Sequence, residues 1–265
     1  MKAKTALLAA LFALVATLAQ AKLIGPEGLM GLVLGQYDNV KQFQVELTNR
    51  VYDPEALASL ESPLGSSNLA SELPQRSFKQ EVLFIRDEFI GIKTLDLKGR
   101  LLHLSIEQNG GQQEKSLDPK RPFARQDLDF LGALAVTKNT AAFKSRLNRL
   151  GLAPTEVAIE RQGERMLYRL GGLKENLLID PMTYKIIAIN RLVSIDGRDF
   201  ILSVHFIGQH PQSKSLPRRI DYQINGRLFK SVTLGKFSNQ NLTKVRSLWL
   251  KQLASNQEGH APFTA

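Results

Sequence analysis

Cysteine is absent from the 265 residues. That excludes disulfides, thiolate metal sites, a cysteine nucleophile and a lipidated N-terminal cysteine. Only four histidines occur, too few for a histidine-rich metal cluster. The chain also lacks a G-x-S-x-G elbow, a P-loop, a G-x-G-x-x-G fingerprint and an H-E-x-x-H pair. It has no Gly/Ser-rich linker, no fixed-period repeat and no run of five like charges.

What is present is the composition of a globular protein, 43% hydrophobic and 23% charged. The N-terminus reads as a secretory signal: Lys2 and Lys4, an apolar run from Ala6 to Leu18 broken only by Thr17, then Ala19-Gln20-Ala21. That run is shorter than the roughly 20 residues needed to span a bilayer, and no second such stretch follows. Cleavage is expected after Ala21, leaving one domain over 22–254 and a disordered tail over 255–265. The net charge of +10 on an exported protein points to anionic membrane surfaces rather than nucleic acid, or simply to solubility.

A short helix is expected after Pro26, followed by a strand in which Phe43, Val45 and Leu47 alternate with Gln42, Gln44, Glu46 and Thr48. Strands over 78–86, 88–97 and 100–108 form an antiparallel meander, with Leu102, Leu104 and Ile106 alternating against His103, Ser105 and Glu107. A helical stretch, 126–150, carries Leu128, Leu131, Leu134 and Phe143 and stops at Gly151. Strands return over 155–160, 165–170, 176–180 and 184–193. In 200–207, Phe200, Leu202, Val204 and Phe206 share a face. Asn225-Gly226 is the strongest hairpin signal, and 242–253 reads as a closing helix. About ten antiparallel strands with inserted helices make one α+β domain.

No residue set stands out for catalysis, so no enzyme, metal or cofactor is expected. His103 and His205 fall on polar strand faces, His210 in a loop and His260 in the tail, where solvated histidines are the expectation. Asp180, Asp196 and Asp221 read as turn or exposed strand acids. The informative surplus is apolar: Phe43, Val45, Leu47, Phe84, Leu104, Ile106, Leu202, Val204 and Phe206 supply bulky strand faces. On a curled sheet these line either a packed core or a lipid-sized cavity.

The order of segments, with LLIDPMTYKIIAI and LPRRIDYQINGRL in the second half, resembles the periplasmic lipoprotein-carrier superfamily, the LolA/LolB-like outer-membrane lipoprotein-sorting proteins. The resemblance spans most of residues 36–237. It implies an incomplete antiparallel β-barrel closed by helices, an apolar interior that binds acyl chains, and a periplasmic location. Expected partners are lipoprotein acyl chains or lipids, with inner- or outer-membrane proteins as docking partners. The helical stretch, through Leu128, Leu131, Leu134 and Phe143, would be the lid. The resemblance also implies a lid-locking arginine, for which Arg50, Arg86 and Arg191 are the strand candidates. The alternative on the same fold is a non-carrier envelope module that binds a protein or senses envelope state. A hydrolase of envelope polymers would instead require two carboxylates, or a serine and a histidine, within reach of each other.

Overall fold

The computed structural model describes residues 24–38, 40–53, 77–86, 88–108, 111–116, 139–195, 197–239 and 242–254. The expected signal, the tail, and Leu128, Leu131 and Leu134 of the expected lid lie outside the described residues.

Helix α1 (Pro26–Gly35) starts with proline in its first turn, where the missing N–H costs nothing. It leads into β1 (Gln42–Val51), whose alternating burial follows its alternating sequence. Strands β2 (Ser77–Ile85), β3 (Phe89–Leu95), β4 (Leu101–Gln108) and β5 (Gly111–Ser116) continue the meander. Helix α2 (Thr140–Arg149) follows. Then come β6 (Val157–Gln162), β7 (Arg165–Gly171), β8 (Asn176–Ile179), β9 (Ile186–Ile195), β10 (Arg198–Ile207), β11 (Arg219–Ile224) and β12 (Arg227–Ser238), and finally α3 (Leu242–Ala254).

Among the described residues all twelve strands belong to one sheet, ordered β5-β4-β3-β2-β1-β12-β11-β10-β9-β8-β7-β6, every neighbouring pair antiparallel. Two meanders, each built from local hairpins, are joined at the centre by β1 and β12. Strands β5 and β6 are the two edges, so the barrel is incomplete. Twelve strands rather than about ten result because β5, a polar GQQEKS segment of low strand propensity, is recruited by pairing with β4. The Asn225-Gly226 hairpin forms as its sequence predicts: both residues have positive φ (46° and 80°), the requirement of a type I′ turn.

Helix α2 begins at its own cap. Asn139 has extended backbone, and its Oδ1 accepts from Ala142 N–H at 2.8 Å. The helical pattern expected over 126–150 is therefore broken at Asn139. At the other end Gly151, with φ 79°, terminates α2 as predicted.

The sheet has two covered faces. One lies under α1 and α2: Leu29, Met30 and Val33 of α1, and Phe143 and Leu147 of α2, join residues of both meanders in the main core. The other lies under α3, where Leu242, Trp249 and Leu253 pack on Leu83, Phe89, Leu104 and Ile106. Gly91 makes that second contact possible, since a Cβ there would come within 2.8 Å of the Trp249 ring.

Candidate functional site

The face under α1 and α2 is built row by row from strand register. Because side chains alternate, residues paired across neighbouring strands share a face. One row runs from β6 to β1 through Val157, Leu170, Leu177, Ile189, Val204, Tyr222, Lys230 and Val51. The next holds Phe206, Ile220, Val232, Asn49 and Phe78. A third holds Leu234, Leu47, Gln80, Thr94 and His103. Towards the opposite end of β1, Val45 pairs with Val82, and Phe43 with Phe84. The rings of Phe43 and Phe84 lie 5.0 Å apart, and Phe237 stacks on Phe43.

Seven of the nine apolar candidates therefore meet: Phe43, Val45, Leu47, Phe84, Leu202, Val204 and Phe206 belong to this core, with Phe143 of α2 packed into it. Leu104 and Ile106 do not. Their strand turns its apolar side to the opposite face, beneath α3, and presents His103 and Ser105 to the face under α1 and α2. The physical reason is that α3 provides a second apolar cover, so apolar alternation in β4 marks the outside of the barrel.

Polar positions on the covered face form a diagonal stripe across β12, β1, β2, β3 and β4: Lys230, Asn49, Gln80, Thr94 and His103. Asn49 Nδ2 donates to Gln80 Oε1 at 2.9 Å, and Gln80 Nε2 donates to Thr94 Oγ1 at 3.4 Å. Asn49 is 0% exposed, and among the described residues its Oδ1 accepts no hydrogen bond. Lys230 is only 2% exposed, with its ammonium 5.2 Å from the Tyr222 ring and 5.6 Å from the Phe78 ring. Sequence reading missed this stripe, since each strand contributes one or two polar residues that look unremarkable alone.

The expectation of solvated histidines is corrected at two positions. His103 is buried on the covered face. His210 is buried in the β10–β11 loop, where its Nε2–H donates to Gly235 O at 2.8 Å and its Nδ1 accepts from Gln212 N–H at 3.2 Å. Carbonyl and amide partners fix that neutral tautomer. Asp221, expected at an exposed position, is buried too, accepting from Ser231 Oγ at 2.8 Å and from Arg219 at 3.0 Å. Asp180 behaves as its turn predicts, with Oδ1 accepting from the N–H groups of Met182 and Thr183.

Hydrogen bonds tie the segment just past α1 to the sheet and to the β10–β11 loop. Arg86 donates to the carbonyls of Tyr37 and Asp38, just past the end of α1. From the β10–β11 loop, Ser215 Oγ donates to Gln36 O at 3.0 Å. Tyr37 itself is buried, which pushes its phenol well above the ordinary value. Of the other strand arginines, Arg50 is exposed and lies over the Tyr52 ring at 5.1 Å, while Arg191 pairs with Leu202 in the sheet register. No helix among the described residues is long and apolar enough to cross a membrane.

No family model and no curated protein matches the chain. Solved structures do. A LolA superfamily protein from Nitrosomonas europaea superposes with a TM-score of 0.50 at 11% identity, covering 84% of this chain and 97% of that one. A domain described as an outer membrane lipoprotein-sorting protein, from Vibrio parahaemolyticus, gives 0.47 at 8% identity, covering 85% and 98%. The chain has the LolA-like fold, an incomplete antiparallel barrel with helices over its face.

Proposed function

We propose that the protein is a periplasmic carrier or binding protein for lipidated proteins or other acylated molecules, working without covalent chemistry. The observation that carries this reading is the wide apolar face shared by both meanders, covered among the described residues by two ten-residue helices. Displacing such helices exposes Phe43, Val45, Leu47, Phe84, Leu202, Val204 and Phe206 together. Each methylene an acyl chain buried there would contribute about 0.8 kcal/mol. Arg86, bonded to the carbonyls of Tyr37 and Asp38 just past α1, is the residue we assign as the latch of that cover. Phe143 is the α2 residue we assign to the lid, and the resemblance to lipoprotein carriers supports the same reading. The basic charge favours docking at anionic membrane surfaces, where membrane-protein partners would hand over cargo.

The test is native mass spectrometry of protein purified from the periplasm, followed by titration with an acyl-chain probe. Co-purifying lipid or saturable probe binding is expected; a lipid-free protein that ignores the probe overturns the reading.

A second reading, a non-carrier envelope module, is favoured by the completeness of the same core. All seven candidate residues on the covered face are buried against the chain's own side chains. Binding to a protein partner with no acyl uptake would establish it.

A further inference from the structure

We infer that Asn49 reads how an acyl chain is attached: the covered face selects amide-linked chains, which carry an N–H at the linkage, over ester-linked chains, which carry none. This deepens the carrier reading and rests on it, because Asn49 lies on the face that α1 and α2 cover and meets a ligand only when one occupies that face.

Asn49 is the polar member of a row that is otherwise apolar. Its register partners are Val232 on β12 and Phe78 on β2, and beyond Val232 come Ile220 and Phe206, none with a side-chain donor. The donor of the Asn49 amide is occupied, since Nδ2 donates to Gln80 Oε1 at 2.9 Å. Gln80 returns no hydrogen bond, because its Nε2 donates to Thr94 Oγ1. Donation therefore runs one way, from β1 towards β3, and Asn49 Oδ1 is left as the open end. It is a fully buried acceptor that receives no hydrogen bond among the described residues. Such an acceptor costs free energy that a leucine at the same position would not, and it calls for an explanation.

The linkage that suits this acceptor is an amide. Its N–H donates to Asn49 Oδ1, whereas both oxygens of an ester only accept and set lone pairs against it. The chain then has a track along the same strand. Leu47, Val45 and Phe43 follow Asn49 on the buried side of β1, a run of about 20 Å at the usual rise per residue, the length of an extended palmitoyl chain. Gln80 is a positioning residue: by accepting from Nδ2 it fixes which end of the Asn49 amide is left open. Ester-linked phospholipids are the commonest acyl compounds of a membrane. An acceptor at the head of the track rejects them without a charge or a steric block.

The experiment is displacement of a bound fluorescent acyl-chain probe from the full chain by three ligands of equal tail: N-methylpalmitamide, methyl palmitate and N,N-dimethylpalmitamide. The first two differ by N–H for O, and the third keeps the amide carbonyl but has no N–H. A wholly apolar face would rank methyl palmitate first, because both amides are costlier to take out of water. The expected order differs: N-methylpalmitamide should bind about tenfold or more tighter than either of the others, the scale of a buried hydrogen-bonding group left unpaired. Asn49→Leu should abolish that preference and leave methyl palmitate at least as tightly bound. Gln80→Leu frees the Asn49 amide to turn, so the preference should shrink there too, and this variant carries the test should Asn49→Leu fail to fold. Equal competition by the three, or an order with the ester or the dimethylamide first, overturns the linkage site and leaves the carrier reading standing. So does failure of all three against a probe that binds, or a preference that survives in the variant carrying the test. A chain that binds neither the probe nor any of the three overturns both.

Discussion

Arg86, at the end of β2, donates its guanidinium hydrogens to the carbonyl oxygens of Tyr37 and Asp38, so a strand of the first meander grips the chain just past α1. A cation just past a helix C-terminus also meets the negative end of the helix dipole. Arg86→Ala should cost about 1.5–3 kcal/mol, the range for hydrogen bonds to a charged group. The loss should be local: hydrogen exchange should rise across residues 26–38 and stay low in β9 and β10. Uniformly faster exchange throughout the sheet would contradict a latch.

Gly91 of β3 lies directly beneath the Trp249 ring of α3. Gly91→Ala would set a methyl 2.8 Å from the indole and from the Phe89 ring. Overpacking of this kind costs about 1–3 kcal/mol. Chemical denaturation followed by far-ultraviolet circular dichroism should show the loss, and Trp249→Leu in the same chain should recover part of it.

The two apolar faces should respond differently to truncation. Leu104→Ala, beneath α3, should destabilise by about 2–5 kcal/mol while the surviving folded protein binds an acyl probe unchanged. Val204→Ala, beneath α1 and α2, should alter probe affinity. Equal effects on affinity from both substitutions would refute the division of the sheet into a ligand face and a structural face.

Acid should weaken the fold through His205. Burial holds its imidazole below the ordinary value of 6.5, opposed by the nearby Asp221 carboxylate. The folded protein therefore binds the proton less readily than the unfolded chain. The contribution of the neutral ring is fully present above about pH 6.5 and is lost as the pH falls below it, through the lower value of the folded state. Melting temperatures of His205→Gln should change less between pH 7 and pH 5, as about one titrating group is removed; an identical profile would exclude His205 as a contributor.

Much of the sheet was legible because its information is local. The alternation of Phe43, Val45 and Leu47 and the Asn225-Gly226 turn each depend on neighbours in sequence. The parity of β4 was legible as well, but its meaning was not. Leu104 and Ile106 face outward because Leu242, Trp249 and Leu253, far along the chain, cover them there. Strand β5 was invisible for a related reason: its polar residues carry no strand signal, and only the β4 ladder holds them extended. The polar stripe emerges only when register aligns Lys230 with Val51 and Gln80 with Thr94.

The central seam of the sheet joins its first strand to its last, β1 to β12. Loop closure over so long a separation is entropically slow. During synthesis each meander can hairpin on its own, yet β1 retains an open flank until residues 227–238 emerge. Cutting the chain ahead of β12 would leave that flank permanently bare and prone to pair with other molecules.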